Sequence, residues 1–271
     1  VSIINTMDTS HKGPIHDAQM DYYGTRLATC SSNRSVKFFD VRNRGQIIIA
    51  DLRGHEGPVW QVAWANPMYD DILASGSYDQ KIIIWKKKNS TWEKTHERLG
   101  HDSEVYSACC APHDYGLILA CGNSDVAVSL LTFTVEGLWE MKINNTHRIG
   151  CNAVSSALTV MPGSYIDQTS GQTPNYIKKF VSGGCDNLKL GREKEVQKLE
   201  AHSDWVQGFA LAPSIGLPTS TIACGNIWLP KLLNKFNDFV WHMSWSITTN
   251  ILAVSCGDNK VTLREVPVNG Q

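Results

Sequence analysis

The 271-residue sequence predicts an all-β chain, six small antiparallel sheets set as the blades of a β-propeller. Three observations predict it. A core of the form Leu-Ala-x-x-x-x-Asp recurs, as in Leu73-Ala74-Ser75-Gly76-Ser77-Tyr78-Asp79. From each turn residue the following strand ends six positions on, at Asn33 to Phe39, Asp79 to Trp85, Asp125 to Leu131 and Asp258 to Arg264. No stretch shows a convincing helical period. A constant core between loops of changing length marks a repeated supersecondary unit.

Unit one, 1–45, holds His16, the core Leu27–Asn33 and the end Phe39-Asp40. Unit two, 46–90, opens at Gly54-His55 and is the most complete. Val59, Gln61 and Ala63 alternate with Trp60, Val62 and Trp64, the period of a strand. Ile72-Leu73-Ala74 makes a second strand, and Ile82-Ile83-Ile84-Trp85 a third that is apolar on both faces. Unit three, 91–142, starts at Gly100-His101 and carries Val105, Leu119–Asp125 and Leu130-Leu131. Unit four, 143–196, starts at Thr146-His147 and resumes after an insertion at Phe180–Asp186. Unit five, 197–233, has Ala201-His202 and Val206, and unit six, 234–271, has Val240, Trp245 and Leu252–Asp258. Successive His lie 39, 46, 46 and 55 residues apart because the loops vary. The six units make one domain.

Composition narrows the function. Hydrophobic residues are 42% and charged residues 19%, with a formal charge of −1. That is an ordinary soluble globular chain without the clustered basic surface a nucleic-acid partner needs. The densest basic run, Lys86-Lys87-Lys88, reads as a solvated turn. No apolar stretch reaches the roughly 20 residues that cross a bilayer, and Val1–Asn5 lacks the head and core of a signal peptide. The eight Cys form no C-x-x-C pair and read as small apolar fillers in a reducing compartment. Asn33-Arg34-Ser35, Asn89-Ser90-Thr91 and Asn144-Asn145-Thr146 match the glycosylation triplet but carry little weight without a secretory signal. There is no phosphate-binding Gly loop and no metal-ligand spacing, so no cofactor and no metal are expected. Asp70-Asp71, His113-Asp114 and Ser203-Asp204 fall in loops and read as turn chemistry.

Gly54-His55, followed by Leu73–Asp79 and Ile84-Trp85, resembles the WD repeat. The resemblance implies that His55, Ser75, Asp79 and Trp85 form one buried hydrogen-bond chain, carboxylate to imidazole to hydroxyl to indole. Breaking one member should cost about 1–3 kcal/mol. A His/Asp/Ser set also evokes a hydrolase triad, but Ser75 would sit inside a strand, locked to Trp85, away from any oxyanion hole. No catalytic residue is therefore expected. Unit one is a degraded version, with His16, Thr29, Asn33 and Phe39. Unit three has His101, Cys121, Asp125 and Leu131, and unit six has Phe236 and Asp258.

Further stretches narrow the resemblance: His16–Gly24, Ala111–Gly116, Ala212–Pro218 and Lys235–His242. They closely resemble the small WD-repeat subunit of the COPII outer coat, the SEC thirteen family, over nearly the whole chain. The resemblance implies a non-enzymatic scaffold. In that family the open propeller is completed by a blade donated in trans by a helical partner. One such partner is the larger outer-cage subunit of COPII, and another a scaffold nucleoporin of the Y-shaped pore complex. A complex that signals amino-acid sufficiency at the lysosome also uses the family. The implied places are COPII vesicles at the endoplasmic reticulum membrane, the nuclear pore and the lysosomal membrane, with membrane contact only through the coat. The chain enters unit one at Ile3-Ile4-Asn5 and leaves soon after Val261-Thr262-Leu263, so an open ring is expected, with these six residues as the partner edge. A general peptide-binding adaptor and a degenerate, non-functional duplicate are the alternative readings.

The sequence also departs from the pattern. Unit four is one residue short, and Gly191 stands where an aromatic is expected. In unit five Thr221–Asn226 runs straight into Ile227-Trp228, without the turn Asp and part of the third strand. Cys110, Ser156 and Leu211 take the place held by Trp64, and Arg264 that of a terminal aromatic. Blades four and five are therefore expected to be shortened. Each buried large-to-small change costs about 2–5 kcal/mol against a domain stability of about 5–15 kcal/mol.

Overall fold

The computed structural model describes residues 8–42, 47–99, 103–112, 116–124, 127–145, 147, 150–156 and 180–185, together with the backbone of strands 187–191, 195–199, 209–211, 222–224, 240–245, 251–256 and 261–265. Among the described residues there is no α-helix, and hence none long and apolar enough to cross a membrane.

The first sheet is β1 (Ile15–Met20), β2 (Arg26–Ser31), β3 (Ser35–Asp40) and β4 (Ile47–Arg53), in that order. The second is β5 (Val59–Trp64), β6 (Ile72–Ser77), β7 (Lys81–Lys88) and β8 (Thr91–Leu99). The third contains β9 (Val105–Cys110), β10 (Ile118–Asn123), β11 (Ala127–Phe133) and β12 (Trp139–Asn145), and the fourth β13 (Cys151–Ser156), β14 (Phe180–Gly184), β15 (Asn187–Gly191) and β16 (Glu195–Leu199). In the fifth, β17 (Phe209–Leu211) pairs with β18 (Ile222–Cys224), and the sixth is β19 (Val240–Trp245), β20 (Ile251–Cys256) and β21 (Val261–Glu265). These are the antiparallel meanders of a WD-repeat β-propeller, with five-residue strands in most of the fourth sheet and three-residue strands in the fifth.

Register shows that the sheets are copies of one design. The second residue of the first strand is bulged in four of them, at His16, Trp60, Asn152 and Trp241. The last residue of that strand faces the second strand as Met20 to Leu27, Trp64 to Leu73, Ser156 to Phe180, Leu211 to Ile222 and Trp245 to Leu252. On the other side, Phe39, Trp85, Gly191 and Arg264 occupy one equivalent place. The sheets run out of step with the sequence repeats. β4 lies in the repeat read as 46–90 and β8 in that read as 91–142, so each of the first two sheets takes its outer strand from the following repeat. Lys86, Lys87 and Lys88 end β7 rather than forming a turn, and they pair with Asp70, Asp71 and Glu93.

The chain divides into two compact units, residues 1–110 with 121–125, and 111–120 with 126–271. The core of the first lies between its first two sheets. Ala28, Val36, Phe38 and Leu52 meet Val59, Val62, Leu73, Ile83 and Trp85. Phe38 stacks on Trp92 at 4.4 Å between ring centroids and packs against Trp64 at 5.2 Å. Gly76 is required here, since a Cβ on it would meet Val105 Cγ1 at 2.8 Å. In the second unit β11 and β12 pair from Ala127–Asn145 to Phe133–Trp139, and Val154, Phe180 and Val181 are buried in the fourth sheet. There β17 lies between β13 and β19.

Candidate functional site

Asp79 closes the turn between β6 and β7. Its carboxylate accepts from the Lys81 amide at 3.1 Å, an Asx-type bond that supports Gln80 at a left-handed φ of 67°. It also accepts from the Glu56 amide at 2.7 Å. His55, four residues ahead of β5, places Nδ1 3.0 Å from Asp79 Oδ2 and Nε2 2.8 Å from Ser75 Oγ. Trp85 Nε1 donates to the same Ser75 Oγ at 2.9 Å. With the imidazole proton on Nδ1, every member has one partner on each side: indole N–H to hydroxyl, hydroxyl to Nε2, Nδ1–H to carboxylate. Burial alone would raise the Asp79 carboxyl, but His55 and the Glu56 and Lys81 amides outweigh it and hold the carboxyl at about 2. Ser75 is fully buried and its hydroxyl is already bonded to the indole, so it offers no nucleophile to a substrate.

The same device recurs, with one correction. In the first sheet the imidazole of the chain is His11, not His16. His11 Nε2 lies 2.8 Å from Thr29 Oγ1, and Nδ1 lies 3.2 Å from Asn33 Oδ1. His16 sits on the β1 bulge, with Nε2 2.6 Å from Ser32 Oγ and its ring 4.3 Å from that of Trp60. The reason is spacing. His11-Lys12-Gly13-Pro14-Ile15 repeats His55-Glu56-Gly57-Pro58-Val59 position for position, so only His11 reaches the turn at Asn33. Arg34 after Asn33 has φ of 68°, matching Gln80 after Asp79. In the fourth sheet His147 Nε2 lies 2.8 Å from Ser182 Oγ. His101, Asp125, Asp186, His202, Phe236 and Asp258 lie outside the described residues. A further pair escaped the sequence reading: Ser77 donates to Pro58 O at 2.7 Å, and Ser31 to Gly13 O at 3.0 Å, each tying the turn to the loop that carries the His.

Side chains also bind sheet to sheet. Asp17 Oδ2 accepts from the Val62 amide at 3.3 Å, and Gln61 Oε1 from the Ala108 amide at 2.7 Å. Trp64 Nε1 donates back to Gln19 O at 3.1 Å. Cys110, at the equivalent place on β9, sets Sγ 3.9 Å from Ala63 O, a far weaker contact than the indole makes. Arg26 spans the first two sheets, bonding Asp21 at 2.9 Å and Asp71 at 2.6 Å with its guanidinium 5.2 Å over Trp64. Cys30 and Cys121 are buried, and burial pushes both thiols up. Among the described residues no cluster of His, Cys, Asp or Glu could hold a metal ion.

Of the partner edge read from the sequence, Ile3, Ile4 and Asn5 lie outside the described residues. Val261, Thr262 and Leu263 lie on β21, in register with Ser255, Val254 and Ala253 of β20. β21 ends its sheet, with a neighbour on one side only among the described residues.

Turns locked to strands by a His–Asp/Ser–Trp chain, in sheets repeated along the chain, define the WD-repeat class. The model of the WD domain, G-beta repeat, matches residues 2–40 and 46–86. The protein SEC13 homologs of Bos taurus and Homo sapiens are each 70% identical over 295 residues, covering 100% of this chain and 92% of the relative. Protein transport protein SEC13 of Mycosarcoma maydis is 40% identical, covering 97% of this chain and 92% of that protein. The chain belongs to the SEC13 family of WD-repeat proteins.

Proposed function

We propose that this chain is a non-enzymatic scaffold subunit in protein transport. Its unclosed propeller is completed by a blade that a helical coat partner donates in trans. The setting is COPII coat assembly for export from the endoplasmic reticulum, and the scaffold of the nuclear pore. The partners are the larger outer-cage subunit of COPII and a scaffold nucleoporin of the Y-complex, with the lysosomal amino-acid-sensing complex a third assembly. The chain reaches membranes only through them, at COPII vesicles, the endoplasmic reticulum, the nuclear pore and the lysosome.

One observation carries the reading: the last sheet ends on β21, whose outer N–H and C=O groups have no neighbouring strand among the described residues. Such an edge is a template for an added strand, and main-chain hydrogen bonds would supply the affinity. Two further facts support it. Relatives named for protein transport match nearly the whole chain. Ser75, the hydroxyl against His55 Nε2, is buried and bonded to Trp85, which suits a strut and not a catalyst.

The test is co-purification with the helical partner bearing its donated blade. The chain should bring the partner down. Thr262→Pro, which removes an amide from β21 and distorts the edge, should abolish this without changing the thermal transition of the first two sheets. Retention of the partner by Thr262→Pro, or no complex with the unaltered chain, would overturn the edge reading.

A further inference from the structure

The first two sheets use one hydrogen-bond design with different charges. Asn33 stands where the second sheet has Asp79, so the oxygen 3.2 Å from His11 Nδ1 brings no counter-charge for an imidazolium. Strand pairing sets Ile83 opposite Ser75, the hydroxyl of the second chain, but Lys37 opposite Thr29, the hydroxyl of the first. Lys37 is buried, and its Nζ donates to Thr9 O at 3.0 Å and to Ser10 O at 2.7 Å, on the two residues ahead of His11. Phe39 stands at the place of Trp85, so the chain ends at Thr29 without an indole.

These groups hold the segment Asp8–Pro14 against the first sheet. Asp8 accepts from the Ser10 amide at 2.8 Å, Ser10 takes a left-handed φ of 51°, and Pro14 O accepts from the Ser32 amide at 3.0 Å. A neutral His11 fits the setting. Its Nδ1–H donates to Asn33 Oδ1, and its Nε2 accepts from the Thr29 hydroxyl at 2.8 Å. A second proton, on Nε2, removes that acceptor and places a cation beside Lys37. The charged groups facing the ring are Lys37 from β3 and Asp51 from β4, and Arg53 already holds Asp51 at 3.1 Å. The contacts from β2, the following turn and the start of β3 are neutral: Thr29, Asn33 and Ser35. Burial, with Lys37, outweighs Asn33 and Asp51 and holds His11 below the ordinary 6.5. The fold therefore favours the neutral ring. That stabilisation is complete above the unfolded value near 6.5 and is lost as pH falls toward the lower folded value.

We propose that His11 is an acid-released latch: a proton on its ring frees the segment Asp8–Pro14 from the first sheet, while the second sheet, whose histidine faces the Asp79 carboxylate, stays closed. The device rests on two substitutions within the repeat, Asn33 in the place of Asp79 and Lys37 in the place of Ile83. It is separate from the β21 edge and does not depend on it.

Amide exchange reads the latch at one bond in each sheet. The Ser32 amide donates to Pro14 O, and its counterpart, the Tyr78 amide, donates to Pro58 O at 2.9 Å. NMR on the full chain follows both from about pH 7.5 to about pH 5.5, and the ratio of their protection factors cancels the pH dependence of exchange itself. Relative to Tyr78, Ser32 should lose protection at least about threefold over that range. Asn33→Asp restores the carboxylate and should keep the ratio level or raise it in acid. His11→Gln cannot take the proton and should also keep it level. His16, the other imidazole of this sheet, bonds Ser32 Oγ from the β1 bulge, and His16→Gln should leave the fall in place. The proposal is overturned if the ratio in the unaltered chain does not change, if Asn33→Asp or His11→Gln responds to acid as the unaltered chain does, or if His16→Gln removes the response.

Discussion

Removing the Asp79 carboxylate tests the central strut most directly. The group accepts from His55 Nδ1, the Glu56 amide and the Lys81 amide, at 3.0, 2.7 and 3.1 Å. Asp79→Ala leaves a buried imidazole N–H without an acceptor and frees the turn, and hydrogen bonds to a charged group carry about 1.5–3 kcal/mol each. Part of that returns because the exposed Glu56 amide can turn to water, so the expected loss is about 3 kcal/mol. Asp79→Asn keeps one acceptor and should lose about half as much. The pH dependence has a definite sign. The folded carboxyl lies at about 2 against an ordinary 3.8, so the fold favours the ionised form. The stabilisation is fully present above the unfolded value near 4 and disappears as pH falls toward about 2. It amounts to about 2 kcal/mol, and the neutral Asp79→Asn variant lacks it. Urea unfolding followed by tryptophan fluorescence, on both proteins at a series of pH values, measures the difference directly. The difference should be level from about pH 7 to about pH 5 and shrink below about pH 4. A loss under about 0.5 kcal/mol for Asp79→Ala, or a difference that stays level or grows into acid, would refute the reasoning.

Three more outcomes are expected. Trp85→Phe should cost about 1 kcal/mol by removing the N–H that Ser75 Oγ accepts, and combined with Ser75→Ala it should cost less than the two changes summed in a double-mutant cycle. Gly76→Ala should cost about 1–3 kcal/mol in denaturant titration, because its Cβ meets Val105 Cγ1 at 2.8 Å, and Val105→Ala should recover part of the loss. Cys110→Trp should raise the melting temperature by restoring an indole N–H toward Ala63 O, the bond Trp64 makes to Gln19 O, and a fall would show that this interface has closed around the smaller side chain.

Much of this molecule was legible in its sequence because a repeat states its own register. The six-residue step from Asp79 to Trp85 placed the turn and third strand, and the same step placed Arg264 at an altered aromatic position; in unit four, one residue short, Gly191 comes five after Asp186, and strand pairing sets both at the place of Trp85. His11 was legible too, through the Gly-Pro that follows it as it follows His55; His16 lacks that Gly-Pro and lies on the β1 bulge instead.

Local periodicity determined what kind of sheet each segment makes and which turn residue closes it, since those depend on neighbours a few positions away. It could not determine which side chains cross from one sheet to the next. Arg26 finding Asp71 and Trp64, Trp64 reaching Gln19 O, and Gly76 yielding room to Val105 join residues some 29 to 45 positions apart. Those pairings exist only once the sheets pack face to face, because contact across an interface depends on the distance and angle between two sheets, and no single repeat contains that information.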